Sequence, residues 1–256
     1  MRLTVIGSGT AEPHSRRSGA GFWLDTSRGS VLLDCSASVP HRMAAEGLDW
    51  AGLDAIWISH FHLDHCGGLA PFLFGTRNAT ATRERKKPLQ IFGPVGLRRL
   101  IERFDAVNEY KLFKQPFPVE VVEVTPLERF EIMPAIEAVA LKTPHTDESL
   151  AIRIEDGWRS IVYTADTGFG KEIADFARGA GLLVIESSFF RDKPVDLHLE
   201  LAEAMYLIRH ARPRRAMLTH FYGEWDEVDL AAETARFEPS CEIVEAVDGL
   251  RLDIAE

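Results

Sequence analysis

His60-Phe61-His62-Leu63-Asp64-His65 packs three imidazoles and a carboxylate into six residues. Neutral imidazole nitrogen and carboxylate oxygen both suit zinc and related first-row divalent ions. The run follows Ala55-Ile56-Trp57-Ile58, an apolar stretch that reads as a buried strand, and precedes Cys66-Gly67-Gly68-Leu69, which suits the start of a helix. A histidine-rich tract can also be a loose metal-binding tail, but a tail is not led in by an apolar strand. A structural zinc site closes four ligands around one ion, often with cysteines. Here the nearby Cys66 stands outside the alternation.

Working outward, the chain has 256 residues, enough for one large domain over 1–256 with a sizeable core. Its hydrophobic fraction of 46% and charged fraction of 27% are those of an ordinary globular protein. Met1 to Gly7 reads directly as a strand, without a signal-peptide pattern, and the longest uncharged apolar run, Cys66 to Thr76, is too short to span a bilayer. Cys35, Cys66 and Cys241 form no disulfide framework, so a reducing cytoplasm is the expected setting. The net charge of −10 argues against broad polyanion binding, which rests on Lys and Arg at phosphates. Basic residues cluster twice, in Arg77 to Lys87 and in Arg209 to Arg215, and each cluster reads first as a solvated face. Arg77–Lys87 also has the composition of a loop near a site mouth.

Strands are predicted at Leu3–Ile6, Gly21–Asp25, Val31–Asp34, Ala55–Ile58 and Leu89–Phe92, with helices at Pro40–Glu46 and Val95–Phe104. Alternation at Val119–Val124, Phe130–Met133, Ala138–Leu141, Leu150–Ile154 and Ser160–Thr164 predicts antiparallel strands. The last third predicts helices at Glu172–Arg178, Leu199–Arg209 and Asp229–Phe237 between strands at Leu182–Ile185, Ala216–Leu218 and Glu242–Ala246. Two face-to-face sheets with helices outside satisfy this pattern and leave the layer order open. Of the tryptophans, Trp23, Trp50, Trp57 and Trp158 read as core, and Trp225 as core or site mouth. His14, His41 and His210 have no partner legible in the sequence.

If the hexapeptide binds metal, the remaining ligands belong at later strand ends. His145 follows Ala138–Leu141, Asp166 follows Ile161-Val162-Tyr163, and His220 follows Met217-Leu218. At this point the chain resembles the metallo-β-lactamase superfamily, whose motif is His-x-His-x-Asp-His followed by a later His, Asp and His. Asp34, in Leu32-Leu33-Asp34-Cys35, matches its early aspartate. The resemblance implies an α/β (α+β) four-layer αβ/βα sandwich with the site at one sheet edge. It implies one ion held by His60, His62 and His145, and a second by Asp64, His65 and His220. Asp166 would bridge them, and Asp34 would support a ligand histidine. Zinc is the first expectation for the two divalent ions, with manganese and iron accepted by the same ligands. Two such ions outweigh two carboxylates and a bridging hydroxide by one charge, which favours an anionic substrate. Asp64 is the expected acceptor of the water proton.

His198, in Leu197-His198-Leu199-Glu200, is similar to a histidine of the ribonuclease Z branch that faces the scissile phosphate. Leu199-Glu200 replaces that branch's Ser-Thr, and Glu186 in Ile185-Glu186-Ser187-Ser188 would orient His198. Gly7 to Pro13 resembles the branch's opening loop, and Arg16 or Arg17 could reach a phosphate; Glu12 excludes a dinucleotide fingerprint. Full ribonuclease Z enzymes insert a transfer-RNA-gripping arm between the third-motif histidine and the bridging aspartate. Here Leu150–Ile154 and Ser160–Thr164 fill that interval, so the resemblance is to an arm-less relative. The leading expectation is a metal-dependent hydrolase cutting small or cyclic phosphodiesters. A transfer-RNA 3′ endonuclease is the alternative, disfavoured by the missing arm and the acidic charge, and a lactone or thioester hydrolase a further one. A non-enzymatic binding module would be expected to lack ligands, and none is missing. No membrane partner is expected; a homodimer is, by analogy with the branch.

Overall fold

The computed structural model describes residues 1–254. Strands and helices follow in chain order: β1 Arg2–Gly7, β2 Gly21–Asp25, β3 Ser30–Leu33, α1 Val39–Ala45, β4 Ala55–Trp57, α2 Leu63–Cys66, α3 Leu69–Thr76, β5 Leu89–Gly93, α4 Leu97–Ala106 and β6 Val119–Glu123. The second half continues with β7 Arg129–Met133, β8 Ile136–Lys142, β9 Leu150–Asp156, β10 Arg159–Tyr163, α5 Lys171–Phe176, β11 Leu182–Glu186, α6 Leu201–Ala211, β12 Arg215–Thr219, α7 Leu230–Ala235, β13 Glu242–Glu245 and β14 Arg251–Asp253.

Two seven-stranded sheets result, ordered β14-β1-β2-β3-β4-β5-β6 and β13-β12-β11-β10-β9-β8-β7. In each, an antiparallel meander turns parallel: β3 to β6 in the first sheet, β10 to β13 in the second. The pleat sorts side chains between layers. Val31, Leu33, Ala55 and Trp57 enter the core between the sheets with Leu182 and Val184 from the opposite sheet. Their neighbours Leu32, Ile56 and Ile58 meet the first helix layer through Met43, Leu69, Leu97 and Ile101. Leu183 and Ile185 meet the second, through Ile173, Leu207 and Ile208. The architecture is therefore helix, sheet, sheet, helix, as the family resemblance implies. Because β4 is buried on both faces, it reads as a continuous apolar run rather than an alternating one.

Several expectations need correcting. Val119–Glu123 does not join the antiparallel meander; it pairs in parallel with β5 at the edge of the other sheet. A three-residue strand, β14, had no legible signal, since it is too short for periodicity and both its ends are exposed. Trp158 is 90% exposed at the tip of the β9–β10 hairpin rather than in the core. That hairpin turns tightly, with Asp156 opposite Arg159, so no arm projects from it.

Arg77–Lys87 does not overhang the site. Arg85 donates to the carbonyls of Ala51, Leu53 and Pro88 and lies over the Phe117 ring at 4.5 Å, while Lys87 pairs with Asp54. These partners flank the starts of β4 and β5, and the histidine cluster leaves the other end of β4. Desolvation by burial lowers the Arg85 pKa, as expected of a structural clamp rather than a substrate contact. Replacing it by Ala leaves four carbonyls, those of Lys87, Ala51, Leu53 and Pro88, without their charged donor. Arg85→Ala should therefore cost about 2 kcal/mol in urea unfolding, with kcat/KM unchanged within about twofold; a large catalytic loss with full stability would return this segment to the site mouth.

Candidate metal centre and active site

Every chemically distinctive side chain of the site hangs from the same end of the two sheets. Asp34 leaves β3, Ser59 and His60 leave β4, His145 follows β8, Asp166 follows β10, Glu186 ends β11 and His220 follows β12. The strand exits turn sharply. Asp34, Ala165 and His220 adopt left-handed backbone at φ of 58°, 50° and 62°. Such conformations cost about 1 kcal/mol or more for non-glycine residues and persist where the surroundings enforce them. Gly68 lets the helix pair behind the hexapeptide close in, since a Cβ there would lie 2.1 Å from the Ser36 carbonyl oxygen.

Four histidines have Nδ1 committed away from the centre. His65 Nδ1 donates to Asp34 Oδ2 at 2.7 Å, and His145 Nδ1 to the Leu197 carbonyl at 2.8 Å. His60 Nδ1 lies 3.0 Å from Ser59 Oγ, which itself donates to Asp34. His220 Nδ1 lies 2.9 Å from Ser188 Oγ, which donates to Glu186. A ring whose Nδ1 carries the proton presents a bare lone pair at Nε2. Those Nε2 atoms converge.

His65 Nε2 and His220 Nε2 face each other at 3.3 Å, and Asp166 Oδ1 sits 3.1 and 3.2 Å from them. Asp166 Oδ2 faces His145 Nε2 at 3.6 Å and His60 Nε2 at 3.8 Å. His62 turns Nδ1 toward His145 Nε2 at 3.1 Å, and Asp64 Oδ2 lies 3.4 Å from His220 Nε2. His60 Nε2 and Asp166 Oδ1 are buried with no hydrogen-bond partner. Facing lone pairs and orphaned buried acceptors are unfavourable unless a cation lies among them. The donor set fits divalent ions in two separate groups, His60, His62, His145 with Asp166, and Asp64, His65, His220; a third grouping, Asp166, His198 and His220, overlaps both. Asp166 spans both, one oxygen toward each.

The electrostatics agree. Burial pushes His60 down to about 2 and lowers His145, so both rings are neutral, as ligands must be. Burial also opposes charge on His65, but Asp166 and Asp34 outweigh it and raise this pKa well above the usual value. An imidazole held between two carboxylates marks a place where positive charge is wanted, from a proton or a metal. Burial likewise opposes charge on Asp166 and Asp64, yet the surrounding histidines hold both below the usual carboxylate range.

The second support lies behind His198. Glu186 is buried and accepts from Thr167 N at 2.6 Å, Leu199 N at 3.1 Å and His198 Nδ1 at 3.0 Å. His198 stands beside the cluster, its ring 4.8 Å from His145 and 5.6 Å from His220. Burial disfavours its charged form, but Glu186 prevails and its pKa is raised. All the sequence-predicted site residues are thus brought together. Arg16 and Arg17 stand differently: both pair with Asp226, at 2.8 and 2.6 Å, and His14 Nε2 joins them at 2.9 Å. Trp225 is buried under the site and donates to the Ser188 carbonyl.

Sequence reasoning missed Ser59, Tyr163 and Ser188. Ser59 donates to Asp34 through both its amide and its hydroxyl. Tyr163 OH donates to Asp34 Oδ2 at 2.7 Å, and burial with the Asp34 charge keeps that hydroxyl protonated. Tyr163 had been legible only as an apolar strand residue. Its position three residues before Asp166 was the available signal.

Residues 30–221 match the model of the β-lactamase superfamily domain. The chain is 27% identical over 238 residues to a probable metallo-hydrolase, YhfI of Bacillus subtilis, covering 91% of this chain and 93% of that one. It is 30% identical over 198 residues to ribonuclease Z of Mycobacterium sp. strain KMS, covering 72% of this chain and 67% of the relative. The crystal structure of YhfI superposes with a TM-score of 0.82 at 25% identity, over 98% of this chain and 99% of that one. Human tRNase Z, short form, shares the fold at a TM-score of 0.79 and 22% identity, with both chains fully covered. The chain belongs to the metallo-β-lactamase superfamily, and with its His/Asp metal cluster complete it is a metal-dependent hydrolase.

Asp34 touches no ion position yet sets two ligand rings. Asp34→Asn should therefore weaken metal affinity by about 10- to 100-fold, measured by competition with a chromophoric chelator; wild-type affinity in a folded variant would contradict this ordering role.

Proposed function

We propose that the protein is a phosphodiesterase acting on small or cyclic phosphodiesters. His60, His62 and His145 would hold one divalent ion and Asp64, His65 and His220 a second, shared through Asp166, with zinc the preferred metal. Bound there, such ions supply an acidified water and positive charge for phosphoryl oxygens.

The observation that carries the reading is the Glu186–His198 pair at the edge of the ligand cluster. Hydrolysis of an ester of phosphoric acid must protonate a poor leaving oxygen, and an imidazole whose charged form a neighbouring carboxylate favours is suited to do so. Glu186 occupies Nδ1, so the other ring nitrogen is left for substrate. Asp64, kept ionised at the edge of an open cleft of about 580 Å³, accepts the proton of the attacking water. The relatives named ribonuclease Z support phosphodiester chemistry over lactone or thioester hydrolysis. They also favour the second reading, a transfer-RNA 3′ endonuclease. Against that reading stand the tight β9–β10 hairpin, the net charge of −10 and the placement of Arg85 and Lys87 at the far end of the sheet.

Metal-loaded protein should hydrolyse bis-p-nitrophenyl phosphate and 2′,3′-cyclic nucleotides. His198→Ala should lower kcat on the cyclic nucleotides by about 100-fold or more while metal content stays at the wild-type level. No turnover with zinc, manganese or iron would overturn the proposal.

The pH profile gives a second check. An acid works in its protonated form, so activity falls as pH rises through the His198 pKa, which Glu186 raises. Glu186→Gln removes the charge that favours the imidazolium and should move the alkaline limb of kcat/KM to lower pH. An unmoved limb would assign it to another group.

A further inference from the structure

Past His198, two aromatic rings close the same side of the site. Phe189 follows Glu186-Ser187-Ser188 beyond β11, and Tyr222 lies two residues after His220. The rings stack on each other, with centroids 4.9 Å apart and planes 13° from parallel. His198 meets both nearly edge-on, at 6.1 Å and 72° to Phe189 and at 6.5 Å and 85° to Tyr222. The pair is therefore a wall standing at right angles to the histidine proposed to protonate the leaving oxygen.

The wall is rigidly founded but not covered. Phe189 N donates to the Leu199 carbonyl, Leu201 N to the Phe189 carbonyl, and Tyr222 N to the Ser188 carbonyl. Gly223 N, next along the chain, donates to Glu12 Oε2 at 2.9 Å. Glu12 and Asp64 both line the 580 Å³ cleft, so this bond ties the backbone next to Tyr222 to a residue of the cleft. Aromatic rings recruited for packing are buried, as Phe221 and Trp225 are on either side of Tyr222. Phe189 and Tyr222 keep part of their surface open.

We propose that Phe189 and Tyr222 form the subsite for a nucleobase carried on the leaving side of the phosphodiester, so that the substrates are nucleotides. This rests on the phosphodiesterase reading above. In hydrolysis, water oxygen bonds to phosphorus, the bond from phosphorus to the leaving oxygen breaks, and the His198 proton goes to that oxygen. Whatever that oxygen carries must then lie beside the wall. In a 2′,3′-cyclic nucleotide the leaving oxygen belongs to the ribose that bears the base. A flat ring there extends the existing stack at ordinary offset-stacking separations. Stacking tolerates any base, so the subsite selects nucleotides over base-free esters without reading sequence.

The test compares 2′,3′-cyclic AMP with glycerol 1,2-cyclic phosphate, which lacks a ring. The ratio of their kcat/KM values should fall by about tenfold or more in Tyr222→Ser and be kept in Tyr222→Phe, with the loss on cyclic AMP mainly in KM. Calorimetry on the same metal-loaded proteins should show AMP losing a similar factor in affinity in Tyr222→Ser, and glycerol phosphate losing much less. An unchanged ratio, or equal losses for both ligands, overturns the subsite. If wild type turns over neither ester, the phosphodiesterase reading fails by itself. The AMP affinities then decide the subsite: a selective loss in Tyr222→Ser upholds it, and equal values refute it.

Discussion

The site depends on the Asp34 carboxylate. It is fully buried, which would cost several kcal/mol if its charge were not met. Ser59 N, Ser59 Oγ, His65 Nδ1 and Tyr163 OH meet it at 2.7–2.8 Å. Those donors come from the ends of β4 and β10 and from α2, so one side chain pins both sheets and the hexapeptide at a single point. The same bonds fix ring tautomers. His65 is held directly and His60 through Ser59, and each is left with Nε2 aimed into the centre. Fold and site are therefore one problem: the contact that closes the sandwich at this edge also turns the histidines inward.

Glu186 plays the matching part on the second sheet. It gathers Thr167 N, Ser188 Oγ, His198 Nδ1 and Leu199 N, and through Ser188 it reaches His220. Each sheet thus contributes one buried carboxylate that stands behind the ligands and orients them. The segment between β11 and α6 is held at both ends of its arc. Leu197 accepts from His145, and Lys193 joins Glu203 to the His198 carbonyl. A shift of the His198 loop would thus disturb a ligand ring. This coupling explains how His198 and the ligand histidines, on different elements, can keep one geometry.

Much of this was legible in the sequence because ligands follow strands. His60, His145, Asp166 and His220 each come after an apolar run, and Asp34 after another, so local pattern carried them. Glu186 and His198 were legible through the resemblance. What stayed hidden was decided by tertiary contact. Tyr163 looks like any strand residue until Asp34 is brought opposite it. Arg85 has the composition of a solvated loop, but its position at the far end of the sheet follows from strand direction, which composition does not encode. Val119–Glu123 alternates as an antiparallel strand would, yet pairs in parallel because the chain crosses over through α4 to reach the sheet edge. Trp158 is hydrophobic but sits at the hairpin tip, where its side chain is left exposed.

The lone pairs and carboxylate oxygens that converge around Asp166 call for positive charge at that place. That demand is the central claim, and diffraction data from metal-reconstituted crystals, collected at the absorption edge of the added metal, test it most directly. The account predicts two anomalous peaks per chain on opposite sides of the Asp166 carboxylate, one against His60, His62 and His145 and the other against Asp64, His65 and His220. No peak among these residues after reconstitution, or rings turned outward, would contradict it.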